Sequence, residues 1–319
     1  MRAELDIFRA MADPTRLRIM ALLRAMELSV GELAQVLGQS QPRVSRHVKI
    51  LVDAGLAERR KEGSWVFLGL GDARRVDPLF TAIDRWGDGD ANHWAQADLA
   101  RLAAVRADRQ AAAERYFADH AEEWDAIRSL HIAESEVEAA MARALGKGSL
   151  GRLVDIGTGT GRMLELFAER ADSAIGIDRS PEMLRLARAK LSEDEARRAE
   201  LRQGDMYAID LPDASADTII LHQVLHFAQQ PGAAIAEAAR LLDADGRLLI
   251  VDFAPHEREE LRQRDAHARL GFSDEQIERW FARAGLAGGC AEELAGGELS
   301  VNLWLGTRTG QSKLKVVAA

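Results

Sequence analysis

Gly157, Gly159 and Gly161 stand at alternate positions behind a short apolar run, Leu153, Val154 and Ile156, that holds one acid, Asp155. A glycine turn between a buried strand and a helix start lets backbone N–H groups approach a polar ligand closely. No Cβ stands in the way, and positive φ is open. The spacing is GxGxG. The dinucleotide fingerprint would need glycine at 162, where Arg162 stands, and the change suits a ligand without a pyrophosphate. A second acid, Asp178, ends the next apolar stretch, 21 residues beyond Gly157. That separation is near the roughly 20 residues expected of an acid that holds ribose hydroxyls. Gly204, Asp205 and Met206 follow in turn.

Histidines mark a second group. His222, Gln223 and His226 follow one apolar stretch, Asp252 to His256 follow another, and His267 comes shortly after. Ligands of open α/β sheets lie beyond the carboxyl ends of the strands, so these segments are expected to rim one pocket. Three chemistries stay open for these four histidines, with His222, His226 and His256 as the candidate catalytic residues. They could bind a substrate or act as general base on an acceptor hydroxyl or amine. His222 and His226, at i, i+4 spacing if helical, could hold a metal. They could equally be hydrogen-bonded structural groups.

The elements that must position these residues alternate. Strands are expected at 153–156, 174–177, 218–221, 247–252 and 299–306, and helices at 163–170, 181–190, 231–242 and 273–284. Such alternation predicts a doubly wound, mostly parallel α/β sheet. The first 90 residues differ. Asp13 as N-cap and Pro14 at N1 start a helix over 14–24, and Ser29 opens a short one over 30–37 that Gly38 ends. Ser40 opens the next, 44–54, with Pro42 in its first turn. Two short helices joined by a glycine-bearing turn form a helix-turn-helix signature. Strand-like arms at 56–60 and 64–68, turning at Lys61, Glu62 and Gly63, complete a winged helix.

Residues 39–61 hold six basic side chains against two acids. Gln41, Arg43, Ser45, Arg46, His47 and Lys49 lie on the second helix, where side chains reach base edges in a major groove. Arg59, Arg60 and Lys61 suit phosphate or minor-groove contact. A helix at 77–86 is placed for dimerisation, and two recognition helices reading two half-sites multiply a modest affinity. Residues 92–128 read as a long, broken helix with Leu99, Leu102 and Val105 as a thin apolar stripe.

Two families are resembled. Asp155, the 157–161 turn, Asp178 and Asp205–Met206 make residues 116–308 similar to the class I S-adenosylmethionine (SAM)-dependent methyltransferases. The resemblance implies that Asp155, Gly157, Thr158, Gly159 and Gly161 face the methionine part of SAM and that Asp178 takes the ribose hydroxyls. It implies also that Asp205 and Met206 border the adenine, with Arg179, Met183 and His222 in the same cofactor-binding set. Tyr116 and Trp124 would line the pocket or anchor the helix that covers it. The run from Gly38 to Leu56, with Asp13 to Leu17, resembles the ArsR-type winged-helix repressors over residues 1–85. Some of those sense metal through two cysteines, whose places here hold Ser29 and Gly31, so that metal site is absent. Asp84, Asp88, Asp90 and His93 remain as charges in the next segment. Arsenic-methylating relatives of the second domain use several cysteines, and this chain has only Cys290.

The chain has 319 residues and a net charge of −9, with residues 1–70 at +3. General affinity for nucleic acid is therefore excluded and local affinity is not. One cysteine excludes a disulfide framework, and no apolar span of roughly 20 residues is present, so a cytoplasmic protein without a membrane segment is expected. The expected organisation is a winged-helix DNA-binding and dimerisation domain (1–87), a helical linker (88–128), a SAM-binding domain (129–308) and a tail (309–319). The expected function is a homodimeric transcriptional regulator of double-stranded operator DNA. SAM or its demethylated product S-adenosylhomocysteine (SAH) would modulate that binding. The second reading is an active small-molecule methyltransferase with an autoregulatory DNA-binding domain and an unidentified methyl acceptor.

Overall fold

Asp13 opens the first helical pair as its chemistry demands: its side chain accepts from Arg16 N at 3.1 Å, with Pro14 in the first turn of the helix that follows. The computed structural model describes residues 2–62, 65–86, 92–120, 133–191, 199–295 and 299–308. Gly63, Asp88, Asp90, Trp124, the tail from residue 309 and the side chain of His93 lie outside the described parts. Two units separate, residues 1–112 and 113–319.

Unit 1 begins with α1 (Arg2–Met11), α2 (Pro14–Ala25), β1 (Leu28–Ser29), α3 (Val30–Leu37) and α4 (Gln41–Asp53). Ser29 and Glu32 form a reciprocal capping box on α3, and Gly38 ends it at φ 64°, a conformation open to glycine. Ser40 holds the N-cap position of α4 but makes no side-chain cap bond, contrary to its expected role. β2 (Ala57–Glu62) and β3 (Trp65–Leu70) pair antiparallel, and β1 adds to the far edge of β3. Ile19, Leu33, Val36, Val44, Val48, Leu51, Leu56 and Leu68 are wholly buried between helices and hairpin. Burial of each large aliphatic side chain contributes about 1.5–3 kcal/mol. This is a winged helix.

α5 (Ala73–Trp86) starts a turn earlier than expected, because Asp72 accepts from Arg74 N at 2.9 Å and Pro78 falls inside the helix rather than at its start. α6 (Asn92–His120) buries Leu102 and Val105 in the unit 1 core. Leu99, expected on the same stripe, is exposed. Its neighbour Asp98 faces inward instead and receives Arg18 Nε and Nη2 at 2.6 Å each.

Unit 2 follows with α7 (Glu134–Ala144), β4 (Gly151–Ile156), α8 (Arg162–Phe167), β5 (Ala171–Asp178), α9 (Pro181–Lys190), β6 (Ala199–Gln203) and β7 (Ala216–His222). α10 (Pro231–Leu241), β8 (Leu242–Phe253), α11 (Glu260–Arg264), α12 (Asp274–Arg283), β9 (Leu286–Leu294) and β10 (Val301–Arg308) complete it. Seven strands lie in the order β6-β5-β4-β7-β8-β10-β9, with β10 antiparallel to both neighbours and the other pairings parallel. The β9–β10 ladder shifts register between Leu303 and Trp304, skipping Ala291. Alternate residues face opposite sides: Ile219 and Leu221 meet α10 and α12, while Ile220 and Leu249 meet α7 and α8. Strand order reverses between β4 and β7, which opens the crevice where such sheets bind ligands.

Candidate ligand site and candidate DNA-binding face

The turn after β4 is built by backbone. Gly157 N and Thr158 N donate to Ile177 O at 2.7 and 3.0 Å, fastening the turn to the end of β5. Gly157, Gly159 and Gly161 have φ of 77°, 54° and 85°. A Cβ at Gly157 would overlap Val224, and only glycine lets the two segments meet. The Asp178 carboxylate closes the arrangement, accepting from Gly159 N through Oδ2 and from Ser180 N through Oδ1, both at 2.8 Å. Burial pushes its carboxyl above the usual range, against the pull of the Ser180, Gly159 and Arg179 backbone donors. Asp155 is wholly buried at the end of β4. The Thr158 hydroxyl is buried and makes no hydrogen bond among the described residues.

The remaining expected ligand residues gather nearby in the fold. Arg179 Nη1 meets Asp205 Oδ2 at 3.2 Å, and Asp205 Oδ1 accepts from Tyr207 N at 3.0 Å. Met206 packs against the sheet core, while Met183 is buried with Tyr116 and Phe227. Tyr116, near the end of α6, stacks on His120 at 4.3 Å and approaches Asp265 Oδ1 with its hydroxyl at 3.4 Å. Burial, with Asp265 behind it, pushes the Tyr116 phenol up to about 12.

Three histidines come together. The His226 ring lies 4.3 Å from His267, which lies 6.5 Å from His256, with the Phe253 ring beside all three. His222 ends β7 opposite Val251, not in a helix with His226, so the i, i+4 reading of that pair does not hold. Among the described residues no group of three His, Cys, Asp or Glu side chains could hold a metal ion. Sequence reasoning missed the partner that sets His226: Asp252 Oδ1 lies 2.8 Å from its Nδ1. An acid at the carboxyl end of an otherwise apolar strand was the available signal. Gln223, between His222 and His226, is held at φ 48°, a conformation uncommon for a non-glycine residue that the sequence did not signal.

On α4, Val44, Val48 and Leu51 point into the core while Gln41, Arg43, Arg46 and Lys49 are exposed and Ser45 is half-buried. His47 faces inward, with Nδ1 3.7 Å from Asp13 Oδ1. Arg59 and Lys61 are exposed on β2, but Arg60 is not on their side. Strand alternation turns it to Glu27 at 2.5 Å and over the Phe67 ring, so neither His47 nor Arg60 is displayed as expected. Lys49 is held by Asp53 at 3.1 Å.

Residues 13–59 match the family model for bacterial regulatory proteins of the arsR family, and residues 154–250 match a methyltransferase domain model. The chain is 37% identical over 105 residues to the arsenic resistance transcriptional regulator ArsR1 of Pseudomonas putida, covering 30% of this chain and 75% of that protein. It is 34% identical over 122 residues to the phosphatidylethanolamine N-methyltransferase of Cereibacter sphaeroides, covering 38% of this chain and 59% of that enzyme. The chain thus spans less than two thirds of the length of this enzyme. The crystal structure of the YcgJ protein from Bacillus subtilis covers 55% of this chain and 99% of its own, with a TM-score of 0.49 and 21% identity. Among the described residues no helix is long and apolar enough to cross a membrane. The chain belongs to the arsR family of bacterial regulatory proteins and carries, behind its winged helix, a methyltransferase domain.

Proposed function

We propose that the chain is a cytoplasmic, homodimeric transcriptional regulator whose second unit holds SAM or SAH and thereby modulates operator binding by the first. The observation that carries the ligand reading is the pairing of the glycine turn with Asp178. Backbone donors from Gly159, Arg179 and Ser180 take three of the carboxylate's roughly four acceptor sites, so an acceptor remains for a ribose hydroxyl. The residues fit the group: Thr158 offers a buried hydroxyl without a partner, and the left-handed glycines leave room for a ligand against the backbone. Asp155, Gly157, Thr158, Gly159, Gly161, Asp178, Arg179, Met183, Asp205, Met206 and His222 would hold it. SAM supplies an activated methyl group when bound.

For DNA, the first turns of α4 display Arg43 and Arg46 while its other face is locked in the core. That is the presentation a major-groove reader needs. Gln41, Ser45 and Lys49 flank them, and Arg59 and Lys61 on the wing would meet phosphates. Arg60 acts indirectly, by fixing the wing to Glu27, and His47 lies inward beside Asp13 rather than toward DNA. Exposed Leu5 and Phe8 on α1 support a dimer that covers them. Arg46→Ala should weaken operator binding by about 1–3 kcal/mol, roughly 5- to 150-fold, and relax specificity at one base pair. Lys61→Ala should weaken all sequences alike and flatten the salt dependence. Unchanged operator affinity in Arg46→Ala would remove α4 from the groove.

The test of the whole reading is linkage. Titration calorimetry of SAM and SAH, with and without the DNA upstream of the chain's own gene, measures the coupling. Operator DNA should shift the affinity of one ligand by roughly 5–150-fold, and that ligand should shift operator affinity by the same factor. A factor of one for both ligands would leave two independent functions on one chain.

A further inference from the structure

The geometry points to a catalytic base in unit 2: His226, held by Asp252, takes the proton from the hydroxyl of an uncharged aromatic acceptor, whose oxygen then receives a methyl group. The inference rests on the reading that the 157–161 turn holds SAM.

Asp252 is wholly buried in β8, behind Leu248, Leu249, Ile250 and Val251, all equally buried. A carboxylate in such a place is costly unless paired and hydrogen-bonded, and an apolar residue of similar volume is often as stable. Here it accepts from Phe253 N at 2.8 Å, from His226 N at 3.2 Å and from His226 Nδ1 at 2.8 Å. A carboxylate has no proton to give, so the imidazole donates from Nδ1 and keeps its lone pair on Nε2. That tautomer is the one a general base requires, and the carboxylate stabilises the imidazolium that forms.

The segment that carries His226 is placed by the ligand turn. It leaves the carboxyl end of β7, the strand that adjoins β4 at the reversal of strand order. Val224, two residues before His226, packs on Gly157 so closely that no Cβ fits there. Gln223 is held in the left-handed region at φ 48°, a strained conformation of the kind concentrated at functional sites.

The neighbours select the acceptor. The rings of Phe227, His267 and Phe253 lie 4.0, 4.3 and 5.0 Å from the His226 ring, and Phe117 meets Phe227 edge-on at 4.7 Å. An acceptor that reaches the His226 ring meets aromatic faces and edges, which suit a flat apolar body. Among the described residues, the two carboxylates that touch this group of rings are already engaged. Asp252 is engaged with three N–H donors, and Asp265 is paired with Arg264 at 2.9 Å and approached by Tyr116. In the step, the acceptor O–H bond breaks and its proton goes to His226 Nε2. The oxygen's electron pair forms the new O–CH3 bond. The electrons of the broken S–CH3 bond stay on sulfur, giving SAH, and the imidazolium returns its proton to water. Asp252 is a positioning residue in this scheme.

The first test needs no SAM. The full chain is titrated into para-nitrophenol at a pH where the free probe is largely protonated. A saturable rise of the yellow phenolate band is expected, reporting proton transfer to the base. The band should fall at least tenfold in His226→Gln and substantially in Asp252→Asn, each checked for an unchanged melting profile. A wild-type chain that gives no phenolate band overturns the proposal even if both variants fail to fold. So does a band that persists in folded His226→Gln. The second test supplies SAM and catechol and follows SAH release. Release should fall roughly 100-fold or more in His226→Gln, the range expected for general-base catalysis. No release from the wild type overturns the methyl transfer. A phenolate band without SAH binding in calorimetry would refute the cofactor reading alone, and SAH binding without the band would refute the base alone.

Discussion

Replacing Asp178 by alanine is expected to weaken SAH binding by tenfold or more and to destabilise unit 2, while ligand-free operator affinity survives wherever the chain is folded. Charge-assisted hydrogen bonds of the kind a ribose hydroxyl would make contribute about 1.5–3 kcal/mol, and about 1.4 kcal/mol is a decade in affinity. The structure adds a second loss. Gly159 N and Ser180 N both lose their acceptor, and each donor left unsatisfied out of water costs about 1–3 kcal/mol. Asp178→Asn separates the two effects, since it keeps the shape and one acceptor oxygen. Burial raises the Asp178 carboxyl above its ordinary value of 3.8, so the fold disfavours the charged form. The stability linked to this group is therefore full below the unfolded value and is lost as pH rises through the folded one. The alanine variant should lack that decline. Urea unfolding at several pH values and SAH calorimetry read both effects. An SAH affinity within threefold of wild type in folded Asp178→Asn and Asp178→Ala would remove Asp178 from the ligand site.

Asp98→Ala should cost unit 1 about 3 kcal/mol. The Arg18 guanidinium meets both Asp98 oxygens at 2.6 Å, with only 19% and 5% of the two side chains exposed. This bidentate bond raises the Arg18 guanidinium further, against the effect of burial. Removing one member of such a pair leaves a charge without compensation, worth about 3–5 kcal/mol when burial is complete. The lower figure applies because Arg18 retains some exposure. The control is the pair Arg24–Asp84, at 2.9 Å but half exposed on both sides, where Asp84→Ala should cost less than about 1 kcal/mol. Equal shifts in the urea midpoints of the two variants would show that the Arg18 pair does not hold α6 to α2.

Local signals were the legible ones. Asp13–Pro14, the Ser29 cap, Gly38 and the 157–161 turn each act within a few residues, and the structure uses them as their spacing implies, adding Glu32 as the reciprocal partner of Ser29. β6 and β9 escaped notice because edge strands need no continuous apolar run: Glu200 and Arg202 stand in one, Gly288 and Gly289 in the other. The direction of β10 was equally hidden, since strand alternation is the same in either sense. Leu99 drew the α6 stripe one residue off because an acid, Asp98, occupies the inward position, and its compensating Arg18 lies 80 residues away. The same separation problem hid Asp252 from His226, which meet only because β7 and β8 are neighbours. Arg60 was readable: alternation along β2 places it opposite Arg59 and Lys61, and the cluster of charges obscured that period.

The two outer strands of the sheet also determine how copies of the chain can associate. Among the described residues β6 and β9 each have a strand neighbour on one flank only, and bare strand flanks template the addition of further strands. Both are blunted. β6 places Glu200 and Arg202 side by side at 2.7 Å, and β9 combines two glycines, the register shift at Ala291 and Glu292, which Arg143 holds in place. Charges and a locally bent ladder make a poor template, so self-association by edge-to-edge sheet growth is selected against. In unit 2, association of copies through the sheet edges is thereby disfavoured, and the proposed dimer would have to use other surfaces.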